Sequence, residues 1–214
     1  MKKIISLFLV FVAVCSFAAC NRSGEEQSVA SDTDSAGTEL NYDGIDVNAY
    51  VNAVTYKGLF VTVSDGAEKQ DALWRSILDG ADIDACPDDK AQYYFNQTKR
   101  YYMYLANNDE DKYAEVLTRF GTDETEMLEE AKELVAKDLI YRYIVEAERI
   151  EVSEEEKTQL FERYVDKYVN DYGYNREYVE ENMAELIYDS MLYDKTMEFL
   201  MANNSFDIED GTQN

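Results

Sequence analysis

The chain has 214 residues and a formal net charge of −25, because 45 Asp and Glu residues outnumber 20 Lys and Arg residues. So large an excess of negative charge repels phosphate groups, which argues against nucleic acid and anionic lipid head groups as partners. Histidine is absent, so general acid–base chemistry would fall on carboxylates, tyrosine, lysine or cysteine, and no pair of carboxylates stands out.

The first 19 residues have the layout of an export signal. Lys2 and Lys3 precede an apolar run from Ile4 to Val14, and small side chains lead to Cys20. The run is shorter than the roughly 20 residues that a permanent transmembrane helix needs. Small residues directly before a cysteine resemble the bacterial lipobox, which implies that Cys20 becomes the acylated first residue of the mature protein. The alternatives are an ordinary cleaved signal and an uncleaved anchor.

Residues 20–41 are predicted to be a flexible, acidic and Ser-rich tether. They are mostly small and polar and include no aromatic residue, so they cannot bury enough surface to offset the entropy of ordering. We therefore expect a lipid-anchored protein on the extracytoplasmic face of a bacterial cell membrane. Loss of the signal would leave 18 basic against 45 acidic residues, a mature net charge of −27.

Metal, cofactor and thiol chemistry are not predicted. Cys86 would be the only free thiol after processing, and a catalytic cysteine normally works with a histidine base, so we expect Cys86 to be structural or incidental. The acidic turn between Asp79 and Asp89 lacks the spacing of a calcium loop. No phosphate-binding glycine motif occurs in the chain.

Residues 42–86 are predicted to form an N-terminal segment with one short strand and one helix. The stretch from Tyr56 to Val63 is rich in β-branched and aromatic residues, which favours an extended segment. Helical spacing of apolar residues follows from Ala67 to Asp79.

Everything after Pro87 is predicted to be helical. Asp123 with Glu126, and Ser153 with Glu156, have the spacing of capping boxes that start helices. The predicted helices cover residues 87–107, 109–120, 123–149, 153–173 and 175–203. We therefore expect an all-α fold, an elongated multi-helix bundle or arm over residues 87–206, followed by a disordered tail at 207–214.

Tyrosine is unusually frequent, with 18 in the chain and 15 of them between Tyr93 and Tyr193. Five tyrosines lie on the predicted helix 87–107, so they cannot all face one thin core. Some of them are therefore expected to be exposed or to line a groove, where tyrosine and methionine suit the binding of varied apolar segments. The alternative is that the rings only pack helices against each other.

Three stretches of the helical part occur in a characteristic order. They read FGTDETEMLEEAKELVAKDLIYRYIVEAERI at 120–150, IEVSEEE at 150–156 and YDSMLYDKTMEFLMAN at 188–203. With the entry Tyr56-Lys57-Gly58-Leu59, they resemble the C-terminal, substrate-cradling helical domain of trigger factor. That domain is related in architecture to periplasmic chaperones of the SurA type. The resemblance covers a little over half of the chain.

The resemblance implies a non-enzymatic protein that holds unfolded or apolar segments of exported polypeptides on helical surfaces. The chain has no ribosome-docking loop of the Gly-Phe-Arg type, and the 46 residues from Tyr42 to Pro87 are too few for a prolyl-isomerase domain. The candidate client-binding residues are Tyr94, Tyr101, Tyr104, Phe161, Tyr168, Met183, Ile187 and Met191.

Two other functions stay open at this point. One is a structural or accessory lipoprotein that docks a single defined protein partner. The other is a peptidyl-prolyl isomerase whose motifs are not recognised in the sequence. A homodimer is compatible with each of these functions.

Overall fold

The computed structural model describes Tyr42, residues 44–64 and residues 67–208. The helices in this part are α1 (Lys69–Asp79), α2 (Asp88–Leu105), α3 (Glu110–Phe120), α4 (Glu124–Glu148), α5 (Glu154–Tyr172), α6 (Arg176–Asn182) and α7 (Ala184–Ala202). The strands are β1 (Val51–Ala53), β2 (Phe60–Val63), β3 (Asp82–Ile83) and β4 (Ser205–Ile208), and a 3-10 turn covers Val47–Ala49. Within these described ranges, no helix is both long and apolar enough to cross a bilayer. The predicted signal peptide, the lipid attachment at Cys20 and the tail from residue 209 lie outside the described residues.

The predicted predominance of helix is confirmed, and local capping explains where several helices begin. Asp109 caps α3 by accepting a hydrogen bond from the backbone N–H of Asp111 at 3.1 Å. Before α5, Ser153 Oγ accepts from the Glu156 N–H at 3.2 Å, while the Glu156 carboxylate accepts from the Ser153 N–H at 2.8 Å. This reciprocal pair is the capping box that the sequence predicts.

The single helix predicted over residues 175–203 is wrong, because two helices, α6 and α7, occupy that range. Met183 lies between them with φ −118° and ψ 14°, outside the helical geometry. The side-chain amide of Asn182 donates to the carbonyl of Tyr178 at 3.1 Å and so satisfies an acceptor at the end of α6. This break contains neither glycine nor proline, and the apolar periodicity continues across it. The sequence therefore gives no sign that the helix is interrupted.

The prediction of an all-α fold with one short extended segment is correct only in part, because four short strands form two sheets among the described residues. β1 pairs antiparallel with β3, and β2 pairs parallel with β4, with Phe60 opposite Ser205 and Val63 opposite Ile208. The predicted extended segment at 56–63 becomes a turn at Gly58 (φ 74°) followed by β2. β4 occupies residues 205–208, part of which was expected to be a disordered tail.

Contacts divide the chain into two units, each built from separate stretches. Of the described residues, unit 1 contains Tyr42, 88–131 and 161–184. Unit 2 contains 44–64, 67–87, 132–160 and 185–208. Most of the predicted N-terminal segment 42–86 therefore belongs to unit 2, together with helical stretches from later in the chain.

Unit 2 is organised around a compact aliphatic core. Strand β2 alternates between exposed and buried positions, and α1 contributes one buried face. Nine buried residues form this core cluster: Val61, Val63, Leu73, Trp74, Ile77, Ile140, Ile144, Met197 and Leu200.

Unit 1 buries alanine and tyrosine side chains beside aliphatic ones such as Met127, Val165 and Val179. Its buried residues on α2 are Ala91, Tyr94 and Thr98, and Leu117 is the buried residue of α3. A helix that buries alanine and tyrosine gains less from burial than one that buries leucine and isoleucine. Unit 1 exposes more aromatic rings than unit 2 does.

Candidate functional site

The end of α2 and the helix α3 carry exposed apolar side chains in unit 1. Tyr104 is 52% exposed, Leu105 and Phe120 are also exposed, and Tyr101 is half-buried. The ring of Phe120 lies 5.4 Å from that of Tyr102, measured between ring centres, so the two helices share aromatic contacts. We call Tyr101, Tyr104, Leu105 and Phe120 the α2–α3 patch.

A tight turn brings the two helices of this patch together. Asn107 and Asn108 have φ values of 55° and 57°, in the left-handed region that asparagine tolerates better than most residues. Asp109 then caps α3, and Gly121, with φ 71°, ends it. The backbone N–H of Gly121 donates to the carbonyls of Leu117 and Thr118, which satisfies acceptors at the helix end.

A shallow cavity of about 170 Å³ adjoins the patch. Its lining consists of Leu105, Ala106, Lys112, Glu115, Val116 and Arg119. Sites for small molecules usually enclose roughly 300 to 1,000 Å³, so this cavity suits a single apolar side chain better than a buried ligand. Two of its lining residues are basic, which gives the cavity a partly cationic rim in an otherwise acidic chain.

A second aromatic group lies in unit 1 around the turn from α5 to α6. The rings of Tyr168 and Tyr172 are 5.5 Å apart, and those of Tyr168 and Tyr174 are 6.1 Å apart. Tyr174 and Tyr178 stack with ring centres 6.4 Å apart and planes 8° from parallel. Tyr178 is 51% exposed. We call these four residues the tyrosine cluster.

The turn sequence explains why these rings meet. Gly173 has φ 75°, which reverses the chain at the end of α5 without steric cost. The side chain of Asn175 then accepts a hydrogen bond from the backbone N–H of Tyr178 at 3.1 Å and caps α6. The two tyrosines after the glycine are thereby held beside the two at the end of α5.

Arg176 lies on α6 within the tyrosine cluster's turn and contacts three carboxylates. Its Nη1 lies 3.1 Å from Glu162 and 3.0 Å from Glu180, and its Nη2 bonds to Asp166. The bonds from Glu180 and Asp166 raise the pKa of the guanidinium above its usual value. The three carboxylates carry more charge than the single guanidinium neutralises, so this surface stays anionic.

Unit 2 exposes fewer rings. Phe60 on β2 is 73% exposed, and Ile208 on β4 is also exposed. Leu186 near the start of α7 is 46% exposed. On β2, exposed Phe60 is followed by the buried Val61, and Val63 is buried as well.

The interior of unit 2 contains a polar network around Trp74. The indole N–H of Trp74 donates to the Tyr193 hydroxyl at 3.2 Å, and the Lys137 ammonium lies 4.9 Å from the Trp74 ring centre. Burial lowers the pKa of Lys137 to about 8. At the end of α4 and closer to the surface, a second group forms, in which the Glu148 carboxylate accepts from the Tyr56 hydroxyl and from the Lys57 ammonium, each at 2.6 Å. This second group ties the turn before β2 to α4.

Cys86 is half-buried, and its Sγ donates weakly to the carbonyl of Lys132 at 3.6 Å. Burial raises the pKa of this thiol, which disfavours the nucleophilic thiolate. Across the described stretches, no three carboxylate, thiol or imidazole groups converge to hold a metal ion.

The structure separates the eight predicted client-binding residues into two groups. Tyr104 is exposed, whereas Tyr101, Phe161 and Tyr168 are half-buried and keep part of their rings at the surface. The remaining four are a correction to the predicted set, because they are buried and offer a client no contact area. They are Tyr94, Met183, Ile187 and Met191.

Four residues at the surface were missed in the sequence: Leu105, Phe120 and Tyr178 are exposed, and Tyr174 is half-buried. Leu105 and Phe120 end their helices, and Tyr174 and Tyr178 flank a turn, so none of them belongs to a long apolar stripe. The available signal was their position beside left-handed residues, namely the asparagine pair at 107–108 and the glycines at 121 and 173. Helix ends at such turns commonly leave their last side chains at the surface.

No protein-family model matches this chain, and no curated protein matches it either.

Proposed function

We propose that this protein is a lipid-anchored, extracytoplasmic, chaperone-like protein that holds unfolded or apolar client segments on its helices without catalysis. The observation that supports the proposal is the α2–α3 patch, where Tyr104, Leu105 and Phe120 are exposed together with a cavity sized for one side chain. Exposed apolar side chains rimmed by polar residues are a feature of protein–protein interaction sites.

The contacts that this patch offers suit weak and exchangeable binding. Tyrosine and phenylalanine present large rigid areas, and the shallow cavity captures one side chain without enclosing it. Because no single deep pocket dominates the patch, the binding energy is spread over several contacts and a client can dissociate and fold.

The charge of the chain supports the same function. The net charge of −25 keeps copies of the protein apart and keeps a complex with an unfolded chain soluble. A lipid on Cys20 would hold the binding surfaces near the membrane from which exported chains emerge.

The proposal is tested by measuring aggregation. The full chain is reconstituted in lipid nanodiscs, and light scattering of reduced insulin and of a heat-unfolded enzyme is followed with and without it. We expect suppression of both aggregation reactions, whereas empty nanodiscs should have no effect. A triple variant, Tyr104→Ser, Leu105→Ser and Phe120→Ser, should lose most of the suppression.

Leu186→Ser is the matched control, because Leu186 is exposed to a similar degree but lies in unit 2. It should leave the suppression unchanged. Absence of suppression by the unaltered protein would overturn the proposal. Stoichiometric capture of one defined protein would then favour an accessory subunit, and turnover of a proline peptide would favour an isomerase.

A further inference from the structure

We propose that the tyrosine cluster at 168–178 binds a Lys or Arg side chain of a client segment. The inference rests on the proposed function for the identity of its occupant. It assigns to this part of unit 1 a preference for basic client segments that the α2–α3 patch does not have.

The arrangement of the rings supports this assignment. Tyr174 and Tyr178 stack with nearly parallel planes, and Tyr178 is exposed over half of its surface. The face of an aromatic ring carries negative electrostatic potential, so a cation placed over it is attracted. Stacking on Tyr174 holds the Tyr178 ring in place, which reduces the entropy that a bound side chain would have to overcome.

The surrounding charge is complementary to a cation. Between residues 161 and 182 there are six acidic residues and three basic ones, a net charge of −3. One of the three basic residues, Arg176, already contacts Glu162, Asp166 and Glu180. Glu177 and Glu181 are exposed on α6, the helix that carries Tyr178. A basic client side chain would meet both a ring face and carboxylates.

The protein's own cations show that this contact is favourable in the same unit. On α5, the Arg163 guanidinium lies 5.5 Å and the Lys167 ammonium 5.9 Å from the centre of the Tyr164 ring. Lys99 on α2 lies 5.7 Å from the Tyr113 ring. Amine and guanidinium groups placed over tyrosine faces are therefore a recurrent contact in unit 1.

The α2–α3 patch differs in charge. Its cavity is lined by two basic side chains, Lys112 and Arg119, and one acidic side chain, Glu115, so it lacks the excess of carboxylates that surrounds the tyrosine cluster. The two surfaces of unit 1 would thus favour client segments of different charge.

Two fluorescent peptides of equal length test the inference. Both contain the same leucine, alanine and serine residues, but one has three lysines where the other has three glutamines. Binding to the full chain in nanodiscs is measured by fluorescence anisotropy at physiological ionic strength, with empty nanodiscs as the blank. We expect the lysine peptide to bind about tenfold more tightly than the glutamine peptide.

Variants then separate the ring from the charge. Tyr178→Leu should weaken binding of the lysine peptide about threefold and leave the glutamine peptide unchanged, whereas Tyr178→Phe should retain the preference. Phe60→Leu, at an exposed ring in unit 2 that belongs to neither binding surface, is the control and should alter neither affinity. If Tyr178→Leu does not fold, the pair Glu177→Gln and Glu181→Gln provides the second test and should also reduce the preference.

Equal affinity for the two peptides, or an unchanged preference in both Tyr178→Leu and the glutamine pair, would overturn this inference. In that case, suppression of aggregation by the unaltered protein would still support the proposed function. Conversely, a lysine preference that is reduced in Tyr178→Leu supports cation binding by the cluster even where aggregation is not suppressed.

Discussion

Unit 1 and unit 2 bury different kinds of side chain, although both are mainly helical. The buried hydrophobic residues of unit 2 are branched aliphatics, methionine and Trp74, whereas those described for unit 1 include three alanines and three tyrosines. Alanine contributes little area, and a tyrosine must also place its hydroxyl where it can bond. Packing of the second kind leaves aromatic area at the surface, which is where the candidate binding surfaces are found.

The largest expected effect is in the core of unit 2. Ile144 is fully buried in the nine-residue cluster, so Ile144→Ala should lower the free energy of unfolding by roughly 3 to 4 kcal/mol. Leu117 is the matched site in unit 1, and Leu117→Ala should cost only about 2 kcal/mol because Leu117 retains some exposure. Urea unfolding followed by circular dichroism measures both. A larger loss at Leu117 would reverse the comparison between the units.

The second effect depends on pH. The pKa of Lys137 is lowered by burial to about 8, while Asp71 and Asp138 act in the opposite direction. The unfolded chain keeps this proton up to a pKa of 10.5 and the folded chain releases it near 8. Below pH 8, folding therefore carries the full free-energy cost of burying the charged Lys137 ammonium. This cost falls between pH 8 and 10.5, so the contribution of Lys137 to stability rises over that range.

Lys137→Met should accordingly increase the free energy of unfolding at pH 7 by roughly 1 to 2 kcal/mol, and the gain should disappear near pH 10. Lys69→Met is the control, because Lys69 is exposed and also lies over a ring, that of Phe206 at 5.5 Å. It should show no such pH dependence. A stability difference for Lys137→Met that stays constant from pH 7 to 10 would contradict the assignment.

The third effect concerns the turn at the end of α3, next to Phe120 of the α2–α3 patch. Gly121 has φ 71°, so Gly121→Ala should cost about 1 kcal/mol through backbone strain alone, since no atom lies within 4 Å of the added methyl group. Gly80→Ala in unit 2 is the control, because its φ of −98° is acceptable to alanine. Thermal melting of the two variants measures the difference. Equal melting temperatures would show that this turn does not constrain unit 1.

The smallest effect is at the capping box of α5. Ser153→Ala removes the acceptor for the Glu156 N–H and should cost roughly 0.5 to 1 kcal/mol. Ser153→Thr keeps the hydroxyl and should cost less. Because unit 2 relies chiefly on its apolar core, a loss at Ser153 comparable with that at Ile144 would weaken the contrast between the units.

Helices were predictable from the sequence because their signals are local. Asp109, Ser153, Gly121 and Gly173 each act within one helical turn, so their effect can be recognised without knowledge of the fold. The strands were not predictable in this way. β4 has four residues, and its pairing with β2 depends on contacts about 145 positions away in the chain.

The candidate site was predicted only in part, for a different reason. Helix α7 has apolar residues on most of its faces, so its sequence does not show that Ile187 and Met191 point into the core. Tyr104 was found because five tyrosines on one helix exceed what one face can bury. The exposure of Tyr178 and Phe120 depends on nearby turns, and the path of the backbone in those turns is set by glycine and asparagine residues in left-handed conformations.

The pairing of β2 with β4 has a consequence for the order in which the protein can fold. Val61 and Val63 on β2 share their core with Met197 and Leu200 on α7, and β4 is the element that follows α7. The core cannot close before Leu200 is available, and the sheet cannot form before Ile208 is, because both depend on contacts of large sequence separation. A chain that stops before residue 205 would therefore leave β2 without its partner strand and unit 2 with an unpaired sheet edge.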